Sequence, residues 1–128
     1  VPTASLTETP FMRGLALSRT GKVDEAEAEW AKVASQVNDT NGSKSAVYLA
    51  QSMLDRGDTK GAIKTINTFI DASPSQPYWL ARGFIVLSDA LRASGNTFEA
   101  DLYLKPLRTN YPGKQPDIFL MIDQRLNK

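Results

Sequence analysis

Residues 89–113, DALRASGNTFEADLYLKPLRTNYPG, read as the end of one helix, a tight turn at Ser94-Gly95-Asn96, a second helix and a proline stop. A helix that reverses onto its neighbour needs a residue that accepts positive φ at its C-terminus. Gly95 supplies it, and Asn96 is placed to cap the helix that follows. Ala100 comes five residues after the glycine. Antiparallel helices crossing at roughly 8–10 Å leave room for little more than a methyl group at the contact, so close packing requires a small residue there. The same order occurs twice upstream, Gly57 then Ala62 in RGDTKGA and Gly21 then Ala26 in TGKVDEA. One helix-turn-helix unit is written three times, with glycine spacings of 36 and 38 residues.

With 128 residues the chain has room for one domain, spanning residues 1–128, that buries roughly two thirds of its unfolded surface without needing a metal or a disulfide. It has no cysteine and no histidine, which removes the usual zinc sites, thiolate nucleophiles and hydroxyl-imidazole triads. We therefore expect no enzyme, no cofactor and no metal. Fifteen basic and fourteen acidic residues give a net charge of +1, with no basic run of the kind that tracks phosphates, so no nucleic-acid partner is expected. Apolar stretches such as Phe84–Leu87 are far short of the ~20 residues that span a bilayer, so a soluble domain without direct membrane insertion is expected. The sequence opens at Val1 without Met or a signal segment, which leads us to expect a piece processed or cut from a longer chain.

In chain order, Val1–Thr9 reads as a loose lead or the tail of an upstream helix, and Thr9-Pro10 as the cap and first residue of a helix that ends at Gly21. A second helix from Val23 to about Val37 carries Val23, Ala26, Trp30, Val33 and Val37 on one stripe. Asp24, Glu25, Glu27 and Glu29 crowd its first turns, where carboxylates are favoured by the helix dipole and face solvent. Asn38–Ser43 is a loop by composition. The third helix, Ser45–Arg56, turns Ala46, Leu49, Ala50 and Met53 inward, and the fourth turns Ala62, Ile66, Phe69 and Ile70. A fifth, from about Pro77 to Ser94, is apolar on more than one side, with Leu80, Phe84, Leu87 and Leu91 inward, so it belongs between neighbours. The sixth, Thr97 to about Asn110, contains Pro106, which should kink it or loosen the turn before it. Pro116-Asp117 opens a short helix with the stripe Ile118, Met121, Ile122 and Leu126, and with Arg125 and Lys128 at its C-terminal end.

A helix-turn-helix repeat of this length, with small residues at the crossings, a turn glycine and a closing proline, resembles the tetratricopeptide repeat. In register with the turn glycine, the family's large and small positions of the first helix fall on Arg13 and Gly14, Leu49 and Ala50, and Leu87 and Ser88. The next apolar position falls on Leu17, Met53 and Leu91. Those of the second helix fall on Ala26, Trp30 and Val33, then Ala62, Ile66 and Phe69, then Ala100, Leu104 and Leu107. Pro74 and Pro112 match the closing proline, whereas the first unit has Asn38 there. The resemblance implies an all-α, right-handed superhelix of three repeats, about residues 10–42, 43–76 and 77–113, closed by a capping helix at 116–128. The final segment also resembles the C-terminal ends of long multi-repeat proteins of Gram-negative envelopes, which implies a periplasmic or envelope location.

SRTGKV, residues 18–23, fails as a phosphate loop, because Val23 stands where a hydroxyl residue is required and no strand precedes it. The expected function is that of a scaffold holding a protein or peptide partner in the groove made by the first helix of each unit. By the resemblance, that groove presents Phe11, Leu15 and Ser18, then Val47, Gln51 and Leu54, then Arg82, Ile85, Asp89 and Arg92, the two arginines suiting a peptide that carries a carboxylate. No two-lysine, two-asparagine clamp is visible. The alternative is a structural end of a longer solenoid or an oligomerisation module, its groove used only for contact with upstream repeats. The N-terminal edge separates the two: Phe11, Met12 and Leu15 are either a bare apolar patch or covered by Val1–Leu6.

Overall fold

Three turns of the same construction set the path of the chain. Gly21, Gly57 and Gly95 have φ of 82, 87 and 89°. Each donates its N–H to the carbonyl three residues back. The next residue reaches five back, Lys22 to Leu17 at 2.9 Å, Asp58 to Met53 at 2.8 Å and Asn96 to Leu91 at 2.8 Å. This double closure satisfies carbonyls that a helix end otherwise leaves orphaned, and a side chain with a Cβ pays a steric penalty at that φ. The residue after each glycine also has nearly the same backbone, φ/ψ of −90/68, −86/72 and −99/57°. The turn thus fixes the helix start by itself. A side-chain cap is added only at Asp58, whose carboxylate accepts from Gly61 N–H at 2.9 Å, whereas Asn96 makes none, contrary to expectation.

The structure, a computed structural model, describes the backbone of residues 5–126 and the side chains of residues 8–126. It is all-helical: α1 Ser5–Arg19, α2 Val23–Ala31, α3 Thr40–Asp55, α4 Thr59–Asp71, α5 Pro77–Ala93, α6 Thr97–Asn110 and α7 Pro116–Leu126, with no strand among the described residues. None of these helices is long and apolar enough to cross a membrane. Coverage of Phe11, Met12 and Leu15 by Val1–Leu6, and the place of Lys128, lie outside the described residues.

Several boundaries differ from the sequence reading, each for a local reason. α1 runs through Pro10, which forfeits one intrahelical bond in its second turn while the buried Phe11 holds the helix against its neighbours. α2 stops at Ala31, and the chain tightens into bonds of three-residue span, Val33 to Trp30 at 3.2 Å and Gln36 to Val33 at 3.0 Å. That path still delivers Val33 and Val37 to the core. α3 starts at Thr40, inside the segment that composition marks as loop, because the Asp39 carboxylate accepts from Asn41 and Gly42 N–H. α6 is continuous through Pro106.

α1 with α2, α3 with α4 and α5 with α6 form antiparallel pairs. Each later odd-numbered helix also packs on the even-numbered helix before it and on the previous odd-numbered one, α7 included, and no even-numbered helix touches another among the described residues. Ala26, Ala62 and Ala100, the small residues after the turns, are all fully buried. In the first pair the crossing is tighter still, since a Cβ on Gly14 would lie 2.2 Å from Nε1 of Trp30, whose indole N–H donates to Phe11 O at 3.2 Å. On α5 the buried set is Ala81, Gly83, Ile85, Val86, Leu87, Ser88, Ala90 and Leu91, whereas Leu80 and Phe84 are half-buried. The shift reflects α7, which places Ile118 and Ile122 against Ala81, Ile85 and Leu104.

Ala62→Leu and Ala100→Leu are each expected to cost about 1–3 kcal/mol by overpacking. Thermal melts as high as the parent's would place these alanines away from the crossings. Ending the chain after Gln115 removes two fully buried isoleucines, worth about 1.5–3 kcal/mol each before ordering costs. The truncated protein should melt well below the parent and bind a hydrophobic dye; an unchanged melt would mean that α7 contributes nothing to the core.

Candidate functional site

Because α1, α3 and α5 pack side by side, residues at equivalent places of the three units line one face. Four aromatic rings run across it. Phe11 of α1 meets Tyr48 of α3 edge-on at 5.4 Å, Tyr48 meets Trp79 of α5 at 6.3 Å, and Trp79 meets Tyr78 at 5.1 Å. Trp30 supports Tyr48 from α2 at 5.8 Å. Two cations rest on this row. Lys44 Nζ is 5.5 Å from the Phe11 centroid and 5.7 Å from that of Trp79, while the Arg82 guanidinium is 5.4 Å from Trp79 and 5.8 Å from Tyr78. Arg82 Nη1 donates to the Tyr78 hydroxyl at 3.1 Å, and that hydroxyl donates to Asp117 of α7 at 2.5 Å. Burial, reinforced by the bond to Asp117, pushes the Tyr78 phenol up, so it stays a neutral donor.

Beside the row, Ser18, Val47, Tyr48, Gln51, Arg56 and Arg82 help to line a cleft of ≈ 410 Å³ between the three helices. Its wall is stiffened by a buried carboxylate. Glu27 of α2 accepts from Arg56 Nε at 2.9 Å, from Arg56 Nη2 at 2.8 Å and from Ser52 Oγ at 2.7 Å, tying α2 to the end of α3. The sequence reading leaves Glu27 in a solvated acidic cluster, but the structure buries it. On the side of the even-numbered helices, a more apolar cleft of ≈ 510 Å³ separates the Ala31–Val37 stretch from α4.

The groove residues expected from the sequence divide into four groups. Gln51 and Arg82 line the cleft, with Ser18, and Gln51 Nε2 donates to Asp55 at 2.8 Å. Leu15 and Leu54 are half-buried on the same helices. Phe11, Val47 and Ile85 are 5%, 1% and 3% exposed, so they form the floor and the core beneath it and offer little open surface. Asp89 and Arg92 are engaged within the chain, Asp89 in a two-pronged pair with Arg125 at 2.7 and 2.9 Å and Arg92 in an ion pair with Asp101. The third-unit end of the expected groove is thus occupied by α7, and the two arginines do not act together. Lys44, Tyr48, Tyr78 and Trp79 were missed. For Lys44 a signal existed: Lys44 and Arg82 stand 38 residues apart, as do Gly57 and Gly95, so the two cations share one place in the repeat.

No cluster of three or more metal-ligating side chains occurs among the described residues. No protein-family model, curated protein or solved structure matches the chain.

The bonds from Arg56 hold the Glu27 carboxyl below its ordinary value of 4.5, against the opposing effect of burial. A carboxyl whose folded pKa is depressed stabilises fully above its unfolded pKa, and that contribution fades as pH falls through the folded one. Glu27→Gln should therefore melt lower than the parent at neutral pH, with the gap narrowing below pH 4.5. A gap that is constant with pH would show that the charge of Glu27 does not stabilise the fold.

Proposed function

We propose that this chain is a polypeptide-binding scaffold, a tetratricopeptide-like right-handed solenoid of three units that holds a partner segment on the face of α1, α3 and α5. The observation that carries this reading is the aromatic row Phe11-Tyr48-Trp79-Tyr78 with Lys44 and Arg82 on it, next to an open cleft. Aromatic surface binds backbone and apolar side chains at low entropic cost, and the half-buried Gln51 and the two cations provide directional contacts. The solenoid reading is supported by helices that contact only their neighbours in the stack, since repeats of this kind build a core one unit at a time. Binding is favoured over catalysis because the sequence has neither histidine nor cysteine.

A second reading, the structural end of a longer array, is favoured by α7. This helix packs on α5 and α6 as α3 packs on α1 and α2, and in doing so covers Ile85 and engages Asp89. The two readings are compatible, since α7 leaves the cleft between α1, α3 and α5 open.

Selection of a displayed peptide library on the immobilised chain, followed by resonance mapping of the selected peptides, tests the binding reading. Shifts should concentrate on Tyr48, Gln51 and the Trp79 indole, and Gln51→Arg should weaken binding about tenfold or more by filling the cleft. A library that never enriches, or shifts confined to α4 and α6, would overturn it.

A further inference from the structure

We infer that Lys44 and Arg82 form one subsite for carboxylates, so that the segment held over α3 and α5 is an acidic stretch of polypeptide; this rests on the binding face proposed above. Arg13, Arg56, Arg92, Arg108 and Arg125 each have a carboxylate partner in the chain. Arg82 and Lys44 have none among the described residues. Both are half-buried and rest on rings rather than on acids. A guanidinium partly removed from water, its one side-chain hydrogen bond among the described residues spent on a tyrosine hydroxyl, retains donors suited to an incoming carboxylate.

The two charges reinforce each other. Lys44 Nζ is 5.7 Å and Arg82 Cζ 5.4 Å from the same Trp79 centroid, so they stand within about 11 Å of one another, close to the screening length of ~8–10 Å. An extended segment with acids two residues apart carries carboxylates about 7 Å apart on one side, a spacing that two such cations can serve together. The equivalent place in the first unit, 36 residues before Lys44, is the exposed Glu8, and Asp117 is bonded to Tyr78 on the other side. Acids therefore flank the cations along the row, which confines an acidic segment to α3 and α5. With a net charge of only +1, the preference arises from this pair and not from the field of the whole chain.

The test uses three short fluorescent peptides of otherwise identical Gly/Ser/Tyr sequence, carrying two Glu, two Gln or two Lys at alternate positions, titrated by anisotropy against the full chain. The Glu peptide should bind about tenfold or more tighter than the Gln peptide and weaken with added salt. Lys44→Gln and Arg82→Gln should each abolish that difference, so that each variant binds the Glu and Gln peptides equally. Lys44→Arg should keep the difference, as should Lys60→Gln on α4. Lys44 makes no side-chain hydrogen bond among the described residues, so its variant remains informative if the Arg82 variant melts early. Equal binding of the Glu and Gln peptides, with Trp79 responding to both, would overturn the acidic assignment and leave the binding face standing. Binding by none of the three peptides, together with a library that never enriches, would overturn both. Inorganic phosphate displacing the Glu peptide at matched ionic strength would show a general anion site and also overturn the assignment.

Discussion

The contact between an alanine and the helix it faces, five residues after a left-handed glycine, is the constraint on which the rest of the structure depends. The glycine closes one helix with two backbone bonds and aims the chain back on itself. The alanine then lets the returning helix approach until backbones nearly touch. With both conditions met three times, only the separation between turns remains to be chosen, and 36 and 38 residues hold a helix pair plus a short link. The first pair adds a second close contact with a different distribution of volume. A large Trp30 is accommodated because its partner position is Gly14, which has no side chain at all. Exchanging size across a contact while keeping the total is what close-packed interiors tolerate.

A stack in which each helix touches only its neighbours has no central core to share, so each junction must be stable on its own terms. The junctions are accordingly different in kind. The first combines Phe11, Trp30 and Leu49 with the Glu27–Arg56 clamp. The middle is almost wholly apolar, from Val47 through Ile66 and Phe69 to Leu87 and Leu91. At the last, Ile118 and Ile122 are buried, and α7 is oriented by charge at both flanks, Arg125 on Asp89 and Arg108 on Asp123. The half-exposed Arg108–Asp123 pair adds little stability beside the burial of the two isoleucines.

Much of this was legible in the sequence because helical spacing of apolar residues reports directly on burial. Ala46, Leu49, Ala50, Ile66, Phe69, Leu87, Leu91, Leu104, Ile118 and Ile122 are buried as that spacing requires. Boundaries were harder to read. Val33 and Val37 continue the stripe of α2 although the helix has ended, since a tighter path of three-residue bonds preserves the same facing over a few residues. The polar run at 38–43 looked like a loop, yet it holds a capped helix start, because the residues that favour turns also favour N-caps. The candidate site was legible in part. Gln51 and Arg82 could be placed by register, whereas the withdrawal of Ile85 and Asp89 depends on where α7 docks, a tertiary fact that no local pattern contains, and Arg92 is taken up by Asp101 of α6.

Why Arg82 differs from the arginines that are paired with acids follows from the same register. In the second and third units, positions whose side chains lie between two helices meet an acid from the neighbouring element: Arg56 finds Glu27, and Arg92 finds Asp101. Lys44 and Arg82 occupy the second turns of their helices, and what they meet there is aromatic: Phe11 of α1 and Trp79 of α5 for Lys44, and Tyr78 and Trp79 of its own helix for Arg82. A ring holds a cation by its face and takes up none of the cation's N–H donors. The stacking of units thus leaves two half-buried cations held in place with their hydrogen-bonding capacity largely unspent, a preorganised arrangement that loses little side-chain entropy when a carboxylate arrives.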